Sequence, residues 1–270
     1  MLPRSQRLLA LATCAVVALI LGGCSSSGSG TRWSRHFDSS VWGGALAQQV
    51  HHPDRLVPEA TLLALVPLSF VYDDDIRDHN PETTASSAAK DVSSALQVVL
   101  PAIPVTFGIV EWAHGDGGEK FEVVAESLGG TVLIQQLLAN VVGRERPNGE
   151  DDKSFPSGHT SWAFAATTLI VRELHDPSDD SFHFVDALLY LPAAFTGWER
   201  IDADKHWTSD VVVGAFLGVF MTNWIWDAHY GSDEGSQPTI YSDARGRGIV
   251  WTPRVDVIDG QLVVGITGGF

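Results

Sequence analysis

Between residues 128 and 226 the sequence consists of four apolar segments joined by short polar loops. Each segment is 15 to 20 residues long, and none alternates apolar with polar residues as a half-buried strand does. The pattern therefore predicts four helices, over Leu128–Val142, Thr160–Leu174, Phe184–Trp198 and Trp207–Trp226. Gly214 and Gly218 lie four residues apart, on one face of the last helix, which predicts close contact with a neighbour. These features predict a mainly α fold, a helical bundle.

Two earlier segments are also predicted to be helical. Val92–Val110 carries no charge over 19 residues and approaches the length of a membrane span, but Pro101 and Pro104 interrupt it. We predict a kinked or broken pair of buried core helices there rather than a span. Thr61–Tyr72 is a shorter apolar segment, and Asp73–Asp75 after it are predicted to form a solvated helix end.

The C-terminal residues differ from the rest of the chain. Residues 231–248 are polar and rich in glycine, and Ile249–Phe270 alternates apolar with polar residues around Asp259-Gly260. An Asp-Gly pair between two alternating segments is typical of a β-hairpin. We therefore predict a polar loop and a small β-hairpin appendage over residues 231–270.

The N-terminus has the features of an export signal. Arg4 and Arg7 precede an uncharged run of 14 residues, which is short for a membrane span. Leu21-Gly22-Gly23-Cys24 follows and resembles a bacterial lipobox, with serines and glycines after it. The resemblance implies a signal peptide over residues 1–23, an acylated Cys24 and a tether over residues 24–32. The alternative is an ordinary secretory leader with a chance cysteine.

Net charge and cysteine content limit the possible partners. The formal charge of −16 argues against nucleic acid, because neutralising phosphates requires an excess of lysine and arginine. Cys14 and Cys24 are the two cysteines, and Cys14 lies within the leader. Removal of the leader would leave one cysteine, which excludes an intrachain disulfide and a cysteine-ligated zinc site.

Three short clusters at the ends of the predicted helices carry chemically active side chains. In Pro156-Ser157-Gly158-His159, free amides at a helix start can bind an anion, Gly158 permits close approach, and Ser157 can donate a hydrogen bond. His206 and Asp210 share a helix face, so the carboxylate could fix the tautomer of the imidazole. Arg200 precedes them in a loop that can fold back over the site.

The remaining cluster, Gly143-Arg144-Glu145-Arg146-Pro147, ends a helix. The two arginines cannot face the same direction on a regular helix, so one at most would be a direct ligand unless the chain unwinds there. Guanidinium groups match the geometry of phosphate oxygens. The clusters together therefore predict a phosphate site.

The spacing of these clusters resembles that of the type-2 phosphatidic acid phosphatase superfamily, which includes bacterial acid phosphatases and vanadium haloperoxidases. Its motifs are matched by Arg146-Pro147, by residues 156–159, and by Arg200, His206 and Asp210, over about 75 of the 270 residues. Two positions depart from the pattern: Ala139 stands where the family has lysine, and Glu199 where it has serine.

The resemblance implies a helical phosphatase domain over residues 33–230 and assigns roles within it. Arg146, Arg200, Ser157 and Gly158 would hold the phosphate, with Arg144 as a further candidate. His206 would attack phosphorus to form a phosphohistidine, Asp210 would orient it, and His159 would protonate the leaving oxygen. The mechanism requires no metal or other cofactor.

The expected substrate is a phosphate ester, either a lipid phosphate or pyrophosphate or a soluble monoester. The expected location is the bacterial cell envelope, as a lipoprotein of the outer membrane that faces the periplasm; the oligomeric state stays open. One alternative is a haloperoxidase that holds vanadate on His206. The other is an envelope lipoprotein that binds without catalysis, which the departures at Ala139 and Glu199 favour.

Overall fold

The computed structural model describes residues 39–79, 87–114, 118–175, 184–230, 250–258 and 261–269. Its helices, in chain order, are α1 (Ser39–His51), α2 (Pro53–His79), α3 (Ser87–His114), α4 (Glu119–Val142), α5 (Gly158–Leu174), α6 (Phe184–Leu189), α7 (Leu191–Asp202) and α8 (Thr208–Tyr230). The prediction of a mainly α fold is confirmed. The predicted signal peptide, Cys24 and the whole of the predicted tether lie outside the described residues.

The predicted helices of the second half are present with adjusted limits. Gly143 ends α4 in the left-handed conformation (φ 58°) and donates its N–H to the Ala139 carbonyl. The single helix predicted over Phe184–Trp198 is wrong: the chain breaks at Tyr190, and α7 continues to Asp202. Pro192 explains the break, because proline fits the first turn of a helix but not its interior.

The prediction of a buried helix pair over residues 92–110 is also wrong. α3 is a single helix of 28 residues, with Pro101 and Pro104 inside it. One stripe of α3 packs inward against α4, where a Cβ on Gly108 would lie 2.9 Å from the Phe121 Cα. The opposite face is exposed and apolar: Val98 is 69% exposed and Trp112 is 64% exposed.

Among the described residues, three helices are long and apolar enough to cross a membrane, over Asp54–Asp78, Ser87–His114 and Thr208–Tyr230. Large apolar side chains are also exposed on α2 and α4, among them Leu63, Leu68, Val71, Leu133 and Leu137. An apolar surface of this extent is typical of a protein that contacts lipid or another protein.

α8 lies at the centre of the bundle, between α5 and α2. Its contact with α5 depends on two glycines, as the sequence predicts: a Cβ would lie 2.7 Å from the Ser157 carbonyl oxygen at Gly214 and 2.4 Å from that of Ser161 at Gly218. This close contact places the start of α5 beside the start of α8.

Buried polar side chains form a second cluster at the other end of α8. Asp227 accepts hydrogen bonds from Arg55 and Gln49, and Arg172 donates to Asp54 and Asn223. This cluster joins α1, α2, α5 and α8 at the end of the bundle away from the predicted phosphate site.

The C-terminal segments Val250–Ile258 (β1) and Gln261–Gly269 (β2) form an antiparallel pair, with Val255 opposite Val264. The β-hairpin appendage stays a prediction, and the polar loop predicted over residues 231–248 lies outside the described residues.

Candidate active site

The three sequence clusters meet at one end of the bundle, held by backbone hydrogen bonds between their loops. The Ser154 N–H donates to the Arg144 carbonyl at 2.9 Å, and the Ser157 N–H donates to the Asp210 carbonyl at 2.9 Å. The His206 N–H donates to the Arg200 carbonyl at 3.2 Å. The end of α4, the start of α5 and the loop between α7 and α8 therefore form one site.

His206 is 3% exposed and is held through one ring nitrogen. Its Nδ1 lies 2.7 Å from the Ser154 carbonyl oxygen. A carbonyl can only accept a hydrogen bond, so Nδ1 carries the proton and Nε2 keeps its lone pair. This tautomer is the one that a nucleophilic Nε2 requires.

Asp210 supports His206 indirectly. Its nearer oxygen lies 3.9 Å from His206 Nδ1, which is beyond hydrogen-bonding distance. That oxygen, Oδ2, instead accepts hydrogen bonds from the Ser154 hydroxyl and, at 2.9 Å, from the Trp207 N–H. Ser154 therefore connects the carboxylate to the imidazole. Sequence reasoning missed Ser154, since nothing in its local sequence indicates that the residue is buried between two motifs.

The Arg144 guanidinium is paired with two carboxylates. Its guanidinium donates to Asp210 Oδ1 and to Asp73 Oδ2, both at 2.8 Å, and to the Ser209 hydroxyl at 2.6 Å. It also lies over the Trp207 ring, 5.0 Å from the centroid. The chain is not helical over residues 143–146, so Arg144 and Arg146 can point different ways. These contacts hold Arg144 behind Asp210 and leave it poorly placed to bind phosphate directly.

The prediction that Asp73 is solvated is wrong. Asp73 is 5% exposed because α2 packs along α8 and brings this carboxylate to the start of α8. It accepts the Ser209 N–H at 2.8 Å, which is one of the free amides at the start of that helix.

The Arg200 side chain is held by Glu199, and one of its nitrogens has no hydrogen-bond partner among the described residues. Nη1 lies 3.3 Å from Glu199 Oε2, and Glu199 also accepts a hydrogen bond from Ser93 on α3 at 3.1 Å. Arg200 Nε is buried and has no hydrogen-bond partner within the described ranges. A buried unpaired donor is costly, so this edge of the guanidinium is suited to a phosphate oxygen.

Arg146 contacts the α7–α8 loop. It donates to Asp151 at 2.7 Å and to the Lys205 carbonyl at 3.2 Å. Both Arg146 and Arg200 are close enough to His206 to lower the pKa of its ring. The structure thus brings together the two arginines of the matched motifs.

Ser157, Gly158 and His159 lie at the start of α5. The Ser157 hydroxyl is buried and accepts a hydrogen bond from Thr160 at 3.0 Å, which leaves its own proton free to donate. A Cβ on Gly158 would lie 3.2 Å from the Gln135 side chain, so glycine fits here with the least crowding. Gln97 of α3 donates to the His159 carbonyl at 3.3 Å.

Both histidines have lowered pKa values. Burial, with Arg146 and Arg200 nearby, lowers the pKa of His206 to about 3, although its bond to Ser154 acts in the opposite direction. His159 lies at the surface, yet partial loss of water around its ring, with Arg200 and Arg146, lowers its pKa to about 4. Both rings are therefore neutral near pH 7 in the free protein.

Ala139 occupies the position at which the superfamily that this sequence resembles has a lysine. Ala139 is 2% exposed. Arg144 does not replace that lysine, since its guanidinium is held by Asp73 and Asp210. Lys153 is exposed on the neighbouring loop. The positive charge facing the site therefore comes mainly from Arg146 and Arg200.

Part of the chain is similar to known proteins. Residues 123–233 match the model of the PAP2 superfamily. The chain is 32% identical to a lipid A 1-phosphatase of Porphyromonas gingivalis over 166 residues, which is 59% of this chain and 35% of that protein. It is 30% identical to lipid phosphate phosphatase 1 of Arabidopsis thaliana over 145 residues, 50% of this chain and 41% of that one. It thus spans between a third and a half of these relatives. No solved structure matches the chain significantly.

Proposed function

We propose that the protein is a phosphatase that hydrolyses phosphate esters through a phosphohistidine on His206, without a metal; the match of residues 123–233 to the PAP2 superfamily model supports the phosphatase activity. The observation that carries the proposal is the arrangement around His206. Its Nδ1 is fixed by a carbonyl. The start of α5 and the buried Nε of Arg200, which has no hydrogen-bond partner among the described residues, lie nearby.

The chemistry follows from these groups. The substrate phosphate binds Arg146, Arg200, the Ser157 hydroxyl and the Gly158 amide. The Nε2 lone pair of His206 forms the N–P bond while the ester P–O bond breaks, and the protonated His159 ring gives its proton to the leaving oxygen. Water then attacks phosphorus and gives its proton to His159, the N–P bond breaks, and phosphate leaves.

His159 must gain a proton for this role, although it is neutral in the free protein. The negative charge of bound phosphate stabilises the imidazolium and so raises the pKa of His159. The two arginines supply the positive charge that a metal ion supplies in other phosphoryl-transfer sites.

We propose a lipid phosphate as the substrate and a membrane as the location. The relatives named above are lipid phosphatases, and α2, α3 and α8 could each cross a bilayer. The lipid anchor at Cys24 and the outer-membrane location remain part of the proposal. In the proposed arrangement the acyl chain on Cys24 adds to the membrane attachment that the helices provide.

The test compares three full-length proteins in detergent micelles with a metal chelator present: the wild type, His206→Ala and His229→Ala. His229 is the matched control, because it is on the same helix and pairs with Glu126 at 2.9 Å, at the end of α8 away from the site. We expect the wild type and His229→Ala to release phosphate from a lipid phosphate and His206→Ala to be inactive. Loss of turnover in the chelator, or turnover by His206→Ala, would contradict the mechanism.

A binding lipoprotein without catalysis is the second candidate, favoured by Ala139 and Glu199. It predicts that the folded wild type binds inorganic phosphate but turns over neither the lipid nor a soluble ester. Halide oxidation by the wild type after addition of vanadate would instead point to a haloperoxidase.

A further inference from the structure

We propose that Asp73, on α2, is a positioning residue for the His206 nucleophile; the proposal rests on the phosphatase function proposed above. Asp73 lies outside the segment that matches the superfamily model. It contacts neither His206 nor the phosphate-binding side chains directly. Its effect is transmitted through Arg144, Asp210 and Ser154.

The first step is the contact between Asp73 and Arg144. Asp73 Oδ2 accepts Arg144 Nη2 at 2.8 Å, and Arg144 Nη1 in turn donates to Asp210 Oδ1 at 2.8 Å. One guanidinium thus bridges two buried carboxylates. Two charge-assisted hydrogen bonds from the two terminal nitrogens fix the plane of the guanidinium more firmly than one would.

The second step is a parallel contact through Ser209. The Ser209 hydroxyl donates to Asp73 Oδ2 and accepts from Arg144 Nη1, so it joins the same two groups. Asp73 Oδ1 also accepts the Ser209 N–H at 2.8 Å, which satisfies a free amide in the first turn of α8. Asp73 therefore fixes both Arg144 and the start of the helix that carries Asp210.

The third step leads to the nucleophile. With Oδ1 held by Arg144, Asp210 presents Oδ2 to the Ser154 hydroxyl and to the Trp207 N–H. The Ser154 carbonyl then accepts the His206 Nδ1 proton at 2.7 Å. Asp210, Ser209 and Ser154 are fully buried, so no water competes for these contacts.

Removal of the Asp73 charge should disturb this chain at its beginning. Arg144 would keep one carboxylate instead of two and could turn on its remaining bond, and Asp210 would turn with it. A displacement of about 1 Å in a reacting group can cost on the order of 100-fold in rate. Because Arg146, Arg200 and the start of α5 do not contact Asp73, phosphate binding should change little.

The test measures kcat and KM for Asp73→Asn, with Asp54→Asn as the matched control. Asp54 is also on α2 and is also paired with arginines, at 2.5 Å from Arg55 and 2.6 Å from Arg172, but at the other end of the bundle. We expect Asp73→Asn to lower kcat by about 10- to 100-fold with KM and inhibition by inorganic phosphate unchanged within about twofold. Asp54→Asn should lower the melting temperature and leave kcat within about twofold of the wild type.

A further variant keeps the test decisive if Asp73→Asn does not fold. Ser209→Ala removes the hydroxyl that joins Asp73 to Arg144 and retains both charges, so we expect a smaller fall in kcat, about 3- to 10-fold, again with KM unchanged. The proposal is overturned if the folded variants keep wild-type kcat. It is also overturned if KM rises alone, or if Asp73→Asn and Asp54→Asn lose kcat equally. An inactive wild type would instead refute the phosphatase function itself.

Discussion

His206 depends on the contacts of the ring nitrogen that does not react. The Ser154 carbonyl accepts the Nδ1 proton, and Arg146 and Arg200 oppose protonation of the ring. A neutral, oriented imidazole is what attack on phosphorus requires. His159, the proposed acid–base partner, is subject to the same two arginines but is exposed to solvent. We expect it to gain a proton when the negatively charged substrate binds.

The first prediction for a single residue concerns the pKa of His159. NMR titration of the histidine rings in the free protein should give a pKa for His159 of about 4, below the ordinary value of 6.5. Saturation with inorganic phosphate should raise that pKa, because the bound anion stabilises the imidazolium. A pKa near 6.5 in the free protein, or no rise on adding phosphate, would exclude His159 from the role of proton donor.

A second prediction for a single residue concerns the charge of Glu199. Glu199 is 2% exposed and lies next to Arg200, the arginine proposed to bind phosphate. Two unit charges about 6 Å apart interact by roughly 3 kcal/mol at an effective dielectric constant of about 20, so this carboxylate opposes anion binding. Glu199→Gln keeps an oxygen that can accept from Ser93 and Arg200 but removes the charge.

We therefore expect Glu199→Gln to lower the inhibition constant for inorganic phosphate at least several-fold. Glu145→Gln, a change to an exposed carboxylate in the loop after α4, is the control and should leave that constant unaltered. Weaker inhibition in Glu199→Gln would show that the charge of Glu199 matters more for holding Arg200 than it costs in repulsion.

Some residues of the site can be predicted from the sequence, and others cannot. The spacing of Arg200, His206 and Asp210 predicts a shared site, and the structure brings these residues together. Ser154 and Asp73 could not be identified from sequence, because their roles depend on burial against distant elements. Arg144 illustrates the same limit: its charge suits a phosphate, but the carboxylates that surround it come from α2 and α8.

Among the elements, the contact between α5 and α8 determines the geometry of the site, since α5 begins at Gly158 and α8 carries Asp210. The two glycines that permit this contact are evident in the sequence, and helix spacing predicted it correctly. Whether a proline would interrupt a helix was harder to predict. α3 remains one helix despite two internal prolines, whereas the chain does break just before Pro192.

Gly218→Ala tests this contact. A Cβ would lie 2.4 Å from a carbonyl oxygen and 2.8 Å from a backbone nitrogen of α5, so the helices must move apart. We expect a loss of about 1–3 kcal/mol in stability and a fall in kcat. The control is Gly129→Ala on α4, where a Cβ meets nothing within 4 Å and alanine should stabilise the helix by up to about 1 kcal/mol. Equal melting temperatures for the two variants would refute the packing argument.

At the scale of the whole molecule, the exposed apolar faces of α2, α3 and α4 are the feature that sequence reasoning underestimated. Uncharged stretches with scattered polar residues predicted buried core helices. In the structure the polar residues Ser93 and Gln97 face the protein, whereas Val98, Val99 and Trp112 face outward. Which face of such a helix is buried depends on its neighbours and cannot be read from composition.

Attachment to the membrane can be tested by Cys24→Ser, which removes the thiol needed for lipidation. We expect the full-length variant to stay in the membrane fraction after an alkaline carbonate wash, because three helices are apolar and long enough to cross a bilayer. Release of the variant into the supernatant, with the wild type retained, would show that the protein is held by a lipid anchor alone.

In the proposed mechanism His206 carries the phosphoryl group between the two chemical steps. The most direct measurement is rapid mixing of the wild-type protein with a lipid phosphate in the presence of a chelator, an alkaline quench that preserves phosphohistidine, and mass spectrometry of the peptides. The proposed mechanism predicts a phosphoryl group on His206 that forms before phosphate is released and disappears as turnover ends. Turnover with no phosphoryl group on His206 at any time, or a phosphoryl group on another residue, would contradict it.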